Sequence, residues 1–286
     1  MIEPLLKDDA FLEDVRRARL EAPAALHLWW LGQSGFLLQW RGRHLLFDPY
    51  LPDSLARKHA GTDRPHVRLT ARVVAPERLD FIDVVTSSHN HTDHLDAETL
   101  RALAAANPDL RLVCARANLP MAAERSGFED DALVDLDPEA EPRSAKVKGF
   151  GITAVPAAHE SVELNAAGLH RHVGFVVQAG PWRVYHSGDT VRFPGMERLP
   201  ALQDVDVAIL PINGRRPGGR NAGNLTGPEA AELARAIRAR LAIPCHYGMF
   251  ESDPATPEAF VRRCEELGQA CRVLQAGERL MLGGRG

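Results

Sequence analysis

The chain has 286 residues, with 34 Lys+Arg against 38 Asp+Glu and 12 His, for a formal net charge of −4. Its 45% hydrophobic and 25% charged residues are those of an ordinary globular protein, which excludes a collagen, a coiled coil and a disordered tail. A mildly acidic chain is also a poor grip for nucleic-acid backbone, which calls for a dense basic surface, so nucleic acid is not a favoured partner.

The opening MIEPLLKDDA carries Glu3, Asp8 and Asp9 and lacks the basic and apolar regions of a secretory signal. No apolar run approaches the ~18 residues of a membrane span. The expectation is a cytoplasmic protein with no membrane partner. The four cysteines include no CxxC pair and read as small buried hydrophobes.

In chain order, residues 5–20 place Leu5, Leu12 and Val15 among charges, which predicts a surface helix. Short apolar runs at 26–31, 35–40 and 43–47, separated by GQS and RG, predict a β-meander. Residues 51–80, rich in Pro, Arg and His, read as a long connection of the kind that often forms a lid. A buried strand is predicted at 81–88, then a helix at 96–106 with Asp96 as N-cap. Next come an apolar run at 110–115, a helix at 118–126 and an acidic loop at 133–143. Strands follow at 147–155, 173–179, 182–186 and 205–210. Thr226 and Glu229, three apart, form a capping box that opens a helix over 227–239. A strand at 241–245, a helix at 256–267 capped by Gly268 and two short strands finish the chain. With no internal repeat or linker, residues 1–286 read as a single α/β domain with two sheets, residues 1–22 being a helix packed on it.

Chemistry concentrates in the segment 88–96, SHNHTDHLD, an HxHxDH pattern of His89, His91, Asp93 and His94. At this chain's composition the pattern arises by chance in about one such sequence in a thousand. Along an extended chain His89 and His91 point the same way. The turn into the helix capped by Asp96 then lets Asp93 and His94 face a neighbouring spot, so one loop offers ligands to two adjacent ions. His159, Asp189 and His246 each follow an apolar run, where site residues of layered α/β folds gather. Five His and two Asp without Cys suit a hydrolytic site for divalent ions better than a structural zinc site. Asp93 is also the catalytic candidate, to hold the nucleophile or pass a proton to the leaving group.

Around this set, Asp48 reads either as a hydrogen-bond partner that orients a ligand or as a turn residue before Pro49. Asn213, Arg215 and Arg216, with Arg220, lie on a Gly-rich loop and are the substrate-binding candidates, suited to clamp a phosphate or carboxylate. Arg64, His66 and Arg68 read as surface residues rather than entrance residues. His186 reads as a strand histidine facing away from the site, and Tyr247 stays open between proton donor and packing.

The order HxHxDH, lone His, GDT, late His resembles the metallo-β-lactamase superfamily over nearly the whole chain, from Leu28 to Leu280. WLGQSGF at 30–36, FDPYL at 47–51, LPINGR at 210–215 and IPCHYGMF at 243–250 resemble its ascorbate-6-phosphate lactonase branch. The resemblance implies a four-layer αββα sandwich with a two-metal site at one edge. It implies that His89, His91 and His159 bind one ion, that Asp93, His94 and His246 bind the other, and that Asp189 bridges them. The cofactors expected are two divalent ions per chain, Zn or Mn, with Fe ranked behind. The function expected is a binuclear metal-dependent hydrolase, a lactonase in which hydroxide attacks the carbonyl of a small anionic substrate such as a phosphorylated sugar lactone. The alternative is a metal-dependent phosphodiesterase acting on a cyclic nucleotide or an RNA 3′ end. A di-iron redox enzyme ranks lower, since no flavin domain fits the chain, and so does a binding module, since no ligand is lost. A homo-oligomer is left open.

Overall fold

The computed structural model describes residues 1–62, 65–215, 223–251, 253 and 255–283. The elements run α1 (Asp8–Glu21), β1 (Leu26–Gly32), β2 (Gly35–Trp40), β3 (Arg43–Phe47), α2 (Ser54–Lys58), β4 (Val84–Ser87), α3 (Ala97–Ala106), β5 (Arg111–Ala115), α4 (Leu119–Ser126) and β6 (Leu133–Leu136). They continue β7 (Ser144–Val147), β8 (Phe150–Pro156), β9 (Val173–Ala179), β10 (Trp182–His186), β11 (Val207–Pro211), α5 (Gly227–Ala236), β12 (Leu241–Cys245), α6 (Glu258–Leu267) and β13 (Arg279–Leu282).

Two mixed sheets result, one of order β13-β1-β2-β3-β4-β5-β6 and one of order β12-β11-β10-β9-β8-β7. In the first, β3 through β6 run parallel; in the second, β10, β11 and β12 do. The strands are apolar at both odd and even positions, so both faces of each sheet must be covered. Leu28, Trp30, Phe36, Leu38 and Phe47 turn into a core shared with the second sheet, its strands and the helices α5 and α6. Trp29, Leu31, Leu37 and Leu46 turn the opposite way, onto α1, α3 and α4. This is the αββα layering that the family resemblance implies, two mixed sheets flanked by helices.

Several boundaries differ from expectation for identifiable reasons. The run 147–155 is a hairpin rather than one strand. Lys148 and Gly149 both take positive φ (49° and 94°), the backbone a two-residue turn needs to join β7 to β8. Residues 133–136, expected in an acidic loop, pair parallel with β5, because Val134 and Leu136 pack on one core and Leu133 on the other, while Asp135 is paired with Arg116. The final pair of strands reduces to β13 plus a single bridge between Ala242 and Cys271. The helix from 227 stops at Ala236, and Arg238 leaves it at φ 55°. Among the described residues no helix is long and apolar enough to cross a membrane.

Candidate metal centre

The parallel parts of the two sheets direct their carboxyl ends to one edge, the position where ligand crevices form in layered α/β folds. His89, His91, Asp93 and His94 follow β4, His159 follows β8, Asp189 follows β10 and His246 follows β12. The seven residues expected from separate parts of the chain therefore meet in one place. Two local features make the meeting possible. Asp96 caps α3 by accepting from Thr99 N at 2.8 Å and from Ser54 Oγ at 2.6 Å, which ends the motif loop sharply. His246 leaves β12 in the left-handed region (φ 58°), held by a bond from its N–H to Gln33 O at 3.0 Å.

The seven side chains fall into two groups, and Asp48 makes a third with His89 and His94. Single ligand atoms of His89, His91, His159 and Asp189 lie within 4.8 Å of one another, and so do those of Asp93, His94 and His246. Asp189 reaches both groups. Its Oδ1 is 3.2 Å from His94 Nε2, and its Oδ2 is 3.2 Å from His246 Nε2 and 3.6 Å from His159 Nε2. Behind the rings, the Nδ1 atoms are taken up: His89 by Ser88 Oγ at 3.0 Å, His94 by Asp48 Oδ2 at 2.7 Å, and His159 by Gly223 O at 3.0 Å. Engaging Nδ1 in this way fixes each ring and leaves Nε2 for a cation.

The electrostatics demand positive charge at this spot. Burial opposes ionisation of Asp93 and Asp189, yet His94 and His246 hold both carboxyls below the usual carboxylate range. In return, Asp189, Asp93 and Asp48 outweigh the burial of His94 and lift it to about 10, and His246 also stands well above its ordinary value. Burial, seconded by His94, pushes His89 well below its own. His89 Nε2 is buried without a hydrogen bond, and His94 Nε2 and Asp189 Oδ1 face each other at 3.2 Å without a well-aligned one. Polar atoms so placed cost free energy unless something compensates them. Converging Nε2 and carboxylate atoms with no well-aligned hydrogen bond of their own fit divalent cations.

A cavity of about 540 Å³ opens onto these groups, with Lys58, His59, Arg125, Asn213 and Phe250 on its walls. Of the residues named for substrate binding, Asn213 lines it and accepts from Asn224 Nδ2 at 3.0 Å. Arg215 is exposed, bonds Glu229 Oε1 at 3.1 Å and is not among the lining residues. Arg216, with Arg64 and Arg220, lies outside the described residues. His66, expected on plain surface, lines the cavity instead. Arg68 turns inward to donate to Leu51 O, Pro52 O and Thr70 O. Asp48 is buried and accepts from Ser88 N at 3.1 Å and Thr86 Oγ1 at 3.2 Å, besides holding His94, which decides between its two readings. His186 stacks flat on Phe47, with centroids 5.1 Å apart, and Tyr247 stacks on Trp30 at 5.0 Å; both are packing residues.

Sequence reading passed over Gln33. Its Nε2 donates to Asp93 Oδ2 at 2.9 Å and sits 3.1 Å from His246 Nε2. The available signal was a polar side chain inside the GQS turn, between two strands apolar on both faces. Asp253 Oδ2, 3.5 Å from His246 Nδ1, was also unmarked. So was His172, whose ring packs 5.2 Å from His89 and 5.5 Å from His159.

Two mixed sheets between helices, with His and Asp gathered at the carboxyl edge, define a metal-dependent hydrolase of the metallo-β-lactamase fold. Residues 27–246 match the β-lactamase superfamily domain, and the chain belongs to the metallo-β-lactamase superfamily. It is 30% identical to a UPF0173 metal-dependent hydrolase of Aeropyrum pernix over 262 residues, covering 88% of this chain and 95% of the relative. It is 31% identical to another of that designation from Methanopyrus kandleri over 268 residues, covering 88% and 98%. Among solved structures it resembles Igni18, a metallo hydrolase from Ignicoccus hospitalis, with TM-score 0.64 and 22% identity over 91% of this chain and 100% of that one. It also resembles the isothiocyanate hydrolase from Delia radicum gut bacteria, with TM-score 0.68 and 20% identity over 89% and 98%. These likenesses speak for the fold.

Proposed function

We propose that the protein is a two-cation lactonase acting on a small anionic substrate in the cytoplasm. His89, His91 and His159 would hold one cation, Asp93, His94 and His246 the other, and Asp189 would touch both. The observation that carries the two-cation reading is the placement of Asp189, with its two oxygens between the two groups. Zn and Mn suit this mixed His and carboxylate set, with Fe behind them. Bound cations of this kind lower the pKa of water and stabilise charge that develops on attacking and leaving oxygens.

The chain's own residues do the rest. Asp93, kept ionised by His94 and His246 and oriented by the Gln33 amide, takes the proton of the attacking water and passes it to the leaving oxygen. Asn213 faces the same cavity and can donate to a carbonyl oxygen. The anionic part of the substrate falls to cations on the cavity wall. Lys58 Nζ stands 3.5 Å from Thr92 Oγ1 at the motif loop, and Arg125 ties down that loop through Asn90 O at 2.6 Å while lining the cavity. Arg215, expected in this role, is engaged with Glu229. The lactone rather than diester reading rests on the motifs at 30–36, 47–51, 210–215 and 243–250, which resemble the ascorbate-6-phosphate lactonase branch.

The test is a chelator-sensitive activity screen of Zn- or Mn-reconstituted protein. Phosphorylated sugar lactones are set beside bis-p-nitrophenyl phosphate and cyclic nucleotides. Turnover of the lactones supports the reading; turnover of the diesters alone replaces it with a phosphodiesterase.

A further inference from the structure

A second cavity, of about 550 Å³, lies between α1, the β2–β3 hairpin and residues 78–81, and shares no lining residue with the metal centre. Its position is well separated along the sheet. His44 stands near the start of β3 and Asp48 just past its end, four residues or about 13 Å along an extended strand.

Its floor is polar and buried. Gln39 is 1% exposed, and its Nε2 donates to Val15 O at 3.0 Å and to His44 Nε2 at 2.8 Å. The two protons of one amide are thus spent. Turning the amide over would set Oε1 against the Val15 carbonyl, acceptor to acceptor, so the orientation is fixed. Gln39 Oε1 is consequently a buried acceptor with no partner. Such an atom calls for a donor, and none of the described residues supplies one. Burial pushes His44 down to about 4, so at neutral pH the ring is uncharged and Nε2 is free to accept from Gln39.

The walls are apolar: Leu12 and Val15 from α1, and Phe81, whose ring meets His44 edge-on at 4.8 Å. The rim is basic, with Arg16, Arg19 and Arg78 against Asp80. Arg16 is shared with Glu13 at 3.2 Å, and Arg78 with Asp8 and Asp9. Arg19 has no carboxylate within ion-pair distance among the described residues. It folds over the turn at Gly42, where a Cβ would sit 2.9 Å from its Nε, so the glycine makes room for the guanidinium.

We propose that this cavity binds a small, flat organic carboxylate that carries a hydrogen-bond donor at its far end. The carboxylate pairs with Arg19, the apolar body lies between Leu12, Val15 and Phe81, and the donor reaches Gln39 Oε1. Each part of the ligand answers a distinct feature of the site: an uncommitted guanidinium, an apolar slot and an orphaned buried acceptor.

The probe is 4-hydroxyphenylacetate, titrated calorimetrically into the full chain. Phenylacetate, which lacks the donor, and 4-hydroxyphenylethanol, which lacks the carboxylate, should each bind about tenfold or more weakly, the share one such hydrogen bond carries. Arg19→Glu, an exposed change that leaves the fold intact, should weaken the probe by a similar factor or more, and Lys58→Glu at the other cavity should leave it unchanged. The proposal is overturned if the probe does not bind, if Arg19→Glu binds it as the parent does, or if Lys58→Glu abolishes binding, which would place the carboxylate at the metal centre.

Discussion

Asp48 shows how much one side chain can organise. It is fully buried and takes φ 36°, a conformation L residues seldom adopt, while its carboxylate holds His94 Nδ1 and accepts from Ser88 and Thr86. Removing it frees a ring that must present Nε2 in a fixed direction. Asp48→Ala should therefore weaken cation binding about 10- to 100-fold, read by competition with a chromophoric chelator. Wild-type affinity in the variant would mean that His94 needs no such support. Asp93→Asn keeps the shape and the Gln33 contact region but removes the ionised oxygen. It should abolish hydrolysis while leaving the unfolding transition in place; an active variant would remove Asp93 from the chemistry. The contrast between legible and hidden residues is physical. His89, His91, Asp93 and His94 announce themselves because their spacing is local. Gln33 touches Asp93 across 60 positions of chain, a contact that only tertiary packing creates. Arg215, named for substrate binding, pairs here with Glu229, whose Oε2 accepts from Thr226 in the capping box and whose other oxygen meets that guanidinium.

At the scale of elements, helix starts were the easiest feature to read, because a cap is a short-range signal. Thr226 and Glu229 make both bonds of the capping box, Thr226 N to Glu229 Oε2 at 2.9 Å and Glu229 N to Thr226 Oγ1 at 3.4 Å. Asp96 caps α3 as its position implied. Strand pairing was harder. The β7–β8 turn is encoded in two residues, Lys148 and Gly149, easily lost inside an apolar run. Thr226→Ala should cost about 1 kcal/mol of stability, and Asp96→Ala about 1–2 kcal/mol, since the latter also loses Ser54 Oγ. Urea unfolding distinguishes them further. Asp96 ends the loop that carries four of the candidate ligands, so its variant should also lose cation affinity, whereas Thr226→Ala should retain it. Equal loss of affinity in both would show that the helix caps act on the site only through global stability.

For the molecule as a whole, stability should depend on pH and on cations in opposite regions of the fold. His44 is held at about 4 by burial, below its ordinary value of 6.5. A group with a depressed folded pKa is protonated first in the unfolded chain, so its contribution is present above pH 6.5 and is lost as pH falls toward 4. The loss approaches about 3 kcal/mol when complete. His27 and His186, also lowered by burial, act in the same direction. His44→Gln should consequently be destabilised against the parent at pH 7 by more than at pH 4; a constant gap would deny that His44 is buried neutral. At the other edge, cations held as proposed would join the two sheets. His89, His91, Asp93 and His94 hang from β4 of one sheet, while His159, Asp189 and His246 hang from β8, β10 and β12 of the other. The unfolded chain cannot bring all seven together, so cations held there would favour the native state and stabilise it by mass action. At about 100 times Kd the gain is about 2.7 kcal/mol, several degrees in Tm for a chain of this size. Differential scanning calorimetry of chelator-treated protein, titrated with Zn or Mn, should show Tm rising with free metal. His89→Ala, which leaves Asp93, His94 and His246 in place, should keep part of that rise, and His89→Ala with His246→Ala should abolish it. A Tm indifferent to metal in the parent chain would mean that the sheets are joined by packing alone and that the converging Nε2 atoms are not a cation site.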